Sequence, residues 1–492
     1  MDTLVAANVF LGLSGGVHTC YALTVGEICP NKFKLAGSAF VTIPCILSTG
    51  FGAYISSRLA HTGAGWRWCY YSYLMMMSCA AIMQYHFYKP PSFKQLHGGR
   101  RTLKEEFRRI DFVGGFLLTA GLVMFLLGIS WGGQPIPWTS PRILCLIVIG
   151  AVLIVAFVFW EIYSTTPNPL VPMYFFRDLR GFTCLVIICS VSGASYVAPT
   201  VVWPSQVAAV YGVRTTNWQE NAWLNTTVSF GIIGGIWFWG PMVSVVKHVR
   251  IQLLVLATMT CAFNGALASS NRDNKQQSAA FSFLATLPDG IMELMPVALA
   301  QMDANDADLG TVFGIVFLFR TVCGSIFTTI YLAILQNKLL FAIAQRVPAA
   351  AEAAGLPASS LKDVLTAASV GTAAALDKVP GMNPAIATQI MDALVEARVW
   401  SYKFIYLASI PINFCAVVAA FFIKDYDPLL SSHVPRQIYA HGEGVKKSQE
   451  KGTIDIEDSS GERDGEKSQT VEIDDAAAAP AHPASDMRET KN

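Results

Sequence analysis

Residues 142–163 read RILCLIVIGAVLIVAFVFWEIY, and from Ile143 to Trp160 no side chain is charged. A run this evenly apolar has no polar face to turn to water and does not alternate with period two. A bilayer core about 30 Å thick is spanned by roughly 20 apolar residues in a helix, so the stretch is expected to cross a membrane. The same measure applied outward along the chain finds ten more segments, near 3–27, 35–58, 68–88, 112–131, 181–203, 221–245, 251–270, 278–301, 309–335 and 399–423. The fold class that follows is an all-α polytopic membrane protein with about eleven transmembrane helices. A membrane barrel would require alternating strands instead.

Composition agrees with that reading. Of 492 residues, 53% are hydrophobic and only 14% charged, with mean hydropathy +0.43, a balance that a soluble protein of this length could not cover. The formal charge of +1 excludes a generally basic nucleic-acid binder. It averages two unlike regions: residues 425–492 carry 15 acids against 8 bases, which leaves 27 bases and 19 acids in 1–424. The eleven cysteines are scattered singly, with no CxxC pair, so they read as small packing residues and no metal site is expected. The apolar run from Leu4 follows Asp2 without a basic lead, so it is expected to be a spanning helix and not a cleaved signal.

Lysine and arginine collect in short cytoplasmic loops. The connection at 89–110 holds Lys89, Lys94, Arg100, Arg101, Lys104, Arg108 and Arg109 and is expected inside. Alternation then places Lys32 and Lys34, Arg177 and Arg180, and Lys247 and Arg250 on the same side, with the acidic turn of Asp303, Asp306 and Asp308 as the exception. Eleven spans put Met1 outside and the carboxyl-terminal tail inside. Residues 337–398 are expected to form a largely non-helical outer connection with short amphipathic helices, broken at Gly355-Leu356-Pro357 and Val379-Pro380-Gly381. From about residue 440 the chain lacks apolar surface and is expected to be a disordered cytoplasmic tail.

Asn8, Gly12, Gly15 and Gly16, followed by Gly26-Glu27 and Pro30, resemble the fourth helix of major facilitator transporters, with Asn8 where that pattern carries arginine. Pro44, Gly50 and Gly52 resemble the antiporter motif of the fifth helix, with Ala53 in place of a proline. Gly65 to Tyr71, Ile110 to Gly114, Trp131-Gly132-Gly133 and Pro137-Trp138 resemble the fourteen-helix drug:proton antiporter class. Within it, Pro169 to Pro172 with Phe176-Arg177, Arg320 to Val322, Gly355 to Ser360 and Lys403 to Ser409 are most similar to the fungal trichothecene efflux pump family. The resemblance covers residues 3–430, and fungal siderophore transporters are its nearest competitor. It implies that three helices preceding Met1 are missing, together with a Gly-x-x-x-Asp-x-x-Gly-Arg loop.

The organisation so implied is an incomplete amino-terminal bundle at 1–110, two linking helices at 111–165, a six-helix bundle at 166–430 carrying the outer connection 337–398, and the tail 431–492. The implied function is proton-coupled efflux of toxins, drugs or other amphipathic metabolites. The energy source is a proton gradient with no cofactor, and the setting is the plasma membrane, with the vacuolar membrane as alternative. The partners are a small amphipathic substrate and the bilayer, without nucleic acid, and the chain is expected to be a monomer. An integral-membrane enzyme would need clustered histidines or carboxylates, whereas the eight histidines are dispersed. A channel would favour a repeated pore motif, and an inactive or sensor-like fragment stays open as an alternative.

Ionisable groups inside a span cost roughly 2.5–3.5 kcal/mol and so mark functional candidates. Asp289 and Glu293 lie four apart on one helix face, and Arg320 lies mid-way along the next segment. These three, with Glu27 at the cytoplasmic mouth, are the proton-coupling candidates. Tyr196, Trp203, Trp223 and Trp237 are the cavity candidates, since planar, weakly polar rings suit bulky amphipathic molecules. For Trp203 and Trp223 a place in the outer aromatic belt is the competing expectation. Asp111 is expected to cap a helix, and Glu161 to reach the headgroups. The glycine clusters at 12–16, 50–52 and 231–235 are expected to allow close helix approach.

Overall fold

The computed structural model describes residues 2–63, 65–88, 103–133, 136–164, 166, 169–213, 217–306, 308–357, 360–370 and 379–434. Most of the basic loop, at 89–102, and the acidic tail from 435 onward lie outside the described residues. The chain divides into a unit at 1–436 and a second at 437–492, and every described residue belongs to the first.

The helices in chain order are α1 (Asp2–Thr19), α2 (Tyr21–Ile28), α3 (Lys34–Val41), α4 (Gly52–Ala60), α5 (Arg67–Phe87) and α6 (Leu103–Arg109). They are followed by α7 (Phe112–Trp131), α8 (Pro141–Tyr163), α9 (Leu179–Tyr211), α10 (Trp218–Val246) and α11 (Val249–Ala266). The last are α12 (Lys275–Asp303), α13 (Leu309–Ala353), α14 (Leu361–Val370) and α15 (Pro384–Phe422). Nine spans among the described residues are long and apolar enough to cross a bilayer, the first of them formed by α1 and α2 together. The only pairing of extended type among the described residues is one isolated bridge, Gly132 to Ile136.

Two expected segments depart from that count. The run at 35–58 is not one helix: α3 ends at Val41, a short 3-10 turn covers Ile43–Ile46, and α4 begins at Gly52. Pro44 removes a backbone donor, and Gly50 and Gly52 lower helix propensity, so the apolar run breaks where composition alone made it continuous. The run at 68–88 is a continuous helix, α5, but it is not among the nine apolar enough to cross.

The expected non-helical connection at 337–398 is corrected more strongly. Helix α13 runs unbroken for 45 residues, about 67 Å at 1.5 Å per residue, and so outruns the bilayer. Its carboxyl-terminal part, α14 and the first part of α15 enclose a separate core of Ile343, Val347, Val364, Ala368, Ile390 and Leu394. Alanine supplies the reason, since it is the best helix former and its small side chain lets these helices meet closely.

Helices α9 to α13 and α15 pack against one another around Leu185, Ile188, Leu256, Ile291, Met295 and Val316, each at most 1% exposed. Helices α2 and α3 lie against α12, and α3 and α4 against α10. The α10–α12 contact depends on glycine. A Cβ on Gly231 or Gly235 would enter the space of Phe283 O or Leu287 O, and one on Gly290 that of Ile232 O. Absent side chains thus let two backbones touch, as membrane helices require where no hydrophobic force separates partner from lipid. The α7–α8 hairpin uses the same device, with a Cβ on Gly128 only 2.6 Å from Ile147 Cγ1. By contrast Gly12, Gly15, Gly16 and Gly52 have no atom within 4 Å of that position, so the close approach expected there is absent among the described residues.

Candidate functional site

Helix α12 carries Pro288 and Pro296, which bracket the turn from Asp289 to Glu293. Each proline lacks an amide hydrogen, so the carbonyls of Leu284 and Met292 lose their helical donors. Helix α9 is interrupted by π-helical turns at Ala198–Val202 and Val207–Tyr211, around Pro199 and Pro204. Irregular backbone of this kind is tolerated at membrane depth where protein surrounds it or a cavity is lined.

Between these elements lies the charged cluster. Arg320 Nη2 of α13 is 2.7 Å from Glu293 Oε1, with the two side chains 14% and 19% exposed. The guanidinium also stands 5.1 Å from the ring centre of Phe317 and 5.6 Å from that of Tyr196, distances at which an aromatic quadrupole holds a cation. Arg320 is pinned at its backbone as well, since a Cβ on Gly193 would run into its carbonyl. Asp289 is 1% exposed and accepts a hydrogen bond from Ser192 Oγ to Oδ1 at 3.1 Å, while Oδ2 has no hydrogen-bond partner among the described residues. One carboxylate of the pair therefore has a cation and the other has one hydroxyl.

Asp289, Glu293, Arg320 and Tyr196 are thus gathered in one place on three helices. Two further members escape a reading of the sequence: Ser192, and Tyr21 of α2, which is an electrostatic neighbour of both Glu293 and Arg320. Serine carries no signal among the many on apolar helices, and Tyr21 becomes visible only once α2 lies against α12 and α13. Glu27 is not brought into this group. It is half-buried near the end of α2, where its neighbour Gly26 abuts Gln301 of α12, about two helical turns along α12 from Glu293.

The tryptophans divide. Trp203 is not in an outer belt: it is fully buried beside the π turn at Ala198–Val202, and its Nε1 donates to Leu224 O at 2.9 Å. Trp223 is 48% exposed, with its ring centre 4.8 Å from that of Tyr54. Trp237 donates to Thr42 Oγ1 at 3.3 Å and joins α10 to the end of α3. Asp111 caps α7 as expected, accepting from Gly114 N at 2.9 Å. Glu161 does not reach out to headgroups; it is 6% exposed, turned inward beside the backbone of Leu170 and Val171.

A model of the fungal trichothecene efflux pump family matches residues 1–467. The trichothecene efflux pump of Fusarium sporotrichioides is 35% identical over 439 residues, covering 89% of this chain and 73% of that protein. That of Trichoderma arundinaceum is 36% identical, covering 89% and 74%. An MFS-type transporter of Penicillium rubens is 26% identical, covering 88% and 78%. With its all-helical fold and its spans of membrane length, the chain is a membrane transporter and belongs to the fungal trichothecene efflux pump family.

Proposed function

We propose that this transporter exports trichothecene-type toxins or similar amphipathic metabolites across the plasma membrane in exchange for protons. The observation that carries the reading is the cluster in which Glu293 holds Arg320 while Asp289, one turn away, holds only Ser192 among the described residues. Two carboxyl groups beside one cation can take up and release a proton within a single site, and an intramembrane charge is a functional candidate by default. Protonation of Glu293 removes the charge that fixes Arg320, so proton uptake is tied to a rearrangement of α12 against α13. Tyr196 and Phe317 beside the guanidinium add apolar area for a bulky substrate. Two helix bundles rocking about this site are the working organisation; no cofactor is needed, and the chain acts as a monomer.

The test is accumulation of a labelled trichothecene in inside-out vesicles bearing an acidic lumen. Uptake that collapses with an uncoupler, and that Glu293→Gln abolishes while the protein stays in the membrane, is the expected result. Equal uptake by the variant would reject proton exchange at this site. The names of the relatives favour export over siderophore import; accumulation of a labelled ferric siderophore in intact cells would reverse that choice.

A further inference from the structure

The chain does not leave the molecule at the end of α15. Residues 423–433 run across the ends of several helices, and their attachments are of two kinds. Those to the α9–α12 bundle include ion pairs and a buried ring beside hydrogen bonds, among them Lys424 N to Arg180 O at 2.9 Å. Lys424 Nζ lies 2.7 Å from both Asp178 and Asp303, Tyr426 is fully buried, and Asp427 accepts from His248 N at 2.8 Å and Val249 N at 3.0 Å. The last contact places a carboxylate on the positive end of α11. Those to the amino-terminal part are backbone hydrogen bonds, from Lys32 N to Ser431 O at 2.9 Å and from Asn31 N to His433 O at 3.0 Å. His433 Nε2 stands 3.2 Å from Asp306, in the turn after α12, so this contact holds the segment's end beside the carboxyl-terminal bundle while its backbone bonds reach Asn31 and Lys32.

Beneath this hook lies a cavity of about 270 Å³ lined in part by Asn31, Gln301, Asp306 and His433. Asn31 Oδ1, Lys34 Nζ and Gln301 Nε2 are buried there or beside it without a hydrogen-bond partner among the described residues. Permanent contacts satisfy nearly all buried polar groups. Tyr426 Oη of the anchor likewise has no hydrogen-bond partner among the described residues, so the contrast between anchor and hook lies in the ionic and buried contacts that the bundle alone makes.

We propose that residues 423–433 form a cytoplasmic latch, anchored on the carboxyl-terminal bundle and hooked releasably onto Asn31 and Lys32. The latch rides with its ionic anchors through the transport cycle, and only the hook lets go when the cytoplasmic side opens. The latch rests on the transport reading for its purpose, though not for its geometry.

The test uses the full chain in lipid nanodiscs with Lys32→Cys and Ser431→Cys, and the parent chain oxidised in parallel to account for native cysteines. Hydrogen exchange is followed over residues 21–41 and 293–306. Oxidation is expected to slow exchange about ten-fold against the reduced protein and to stop transport of labelled trichothecene, both reversed by reductant. A complete disulfide with unchanged exchange, or with full transport, would overturn the latch. Should the cysteine pair not fold, His433→Ala with Asp306→Asn decides: exchange at 31–33 rises several-fold, or the latch is wrong. A parent chain that moves no trichothecene counts against the substrate alone, because exchange still reads the latch.

Discussion

Glu293 and Asp289 stand one helical turn apart on α12, yet among the described residues only Glu293 makes an ion pair, its Oε1 lying 2.7 Å from Arg320 Nη2. The asymmetry has a packing origin. Arg320 is held by Gly193 at its backbone and by two rings at its guanidinium, and Ser192, one residue away from that glycine, faces Asp289.

Removing one member of a largely buried ion pair strands the other. Arg320→Met is expected to destabilise the protein by about 3–5 kcal/mol, read as a fall in thermal unfolding temperature in detergent. Adding Glu293→Gln should recover most of the loss. A double variant no more stable than Arg320→Met would show that the pair is not the source.

Ser192→Ala takes away the hydroxyl that donates to Asp289 and should cost about 1–3 kcal/mol. Combined with Asp289→Leu the cost should shrink, since neither polar group then remains. A double-mutant cycle measures the coupling, and strict additivity would mean the two do not interact.

Glycine positions separate by contact. Gly235→Val places a side chain against the backbone of α12 and should destabilise by about 1–3 kcal/mol or more. Gly15→Ala meets nothing within 4 Å and should be neutral or slightly stabilising through helix propensity. Equal effects on expression and melting would contradict the contact described for Gly235.

Trp203→Ala empties a fully buried site and should cost about 3–5 kcal/mol, whereas Trp223→Ala, on a half-exposed ring, should change stability little. Thermal melts of the two purified variants decide between these expectations.

The Lys424 cluster sets a pH window. Burial pushes the Asp178 carboxyl up, but hydrogen bonds from Lys424 and the Gly181 amide outweigh it and hold the group below the usual carboxylate range. Burial likewise acts to lower Lys424, but its bonds to Asp178 and Asp303 raise it above the usual lysine range. A depressed acid contributes stability above its unfolded pKa and loses it as pH falls through the folded one; a raised base contributes below its unfolded pKa and loses it as pH rises through the folded one. The cluster should therefore be intact across neutral pH and fail only in acid or strong alkali. Lys424→Met should lower the melting temperature near neutrality and flatten its fall in acid; an unchanged acid limb would place the titration elsewhere.

The spacing of Asp289 and Glu293 is legible in the sequence because four residues return a helix to the same face. Their partners are not, because Arg320, Ser192 and Tyr21 come from helices whose mutual placement no local pattern encodes. Trp203 defeats a local reading for a related reason: its position near a span's end favours the lipid boundary, whereas packing against α10, where its Nε1 bonds Leu224 O, buries the ring.

What sequence by itself determined is the membrane environment and the approximate number and place of the spans, since a bilayer tests each apolar run alone and demands that its backbone groups bond within it. Tertiary structure decided the break at 42–51, the length of α13 beyond the bilayer, the partner of each carboxylate and the strap over the helix ends. Those depend on which faces of separate helices meet, and in lipid that choice rests on glycine-sized gaps and single polar contacts, not on overall hydrophobicity.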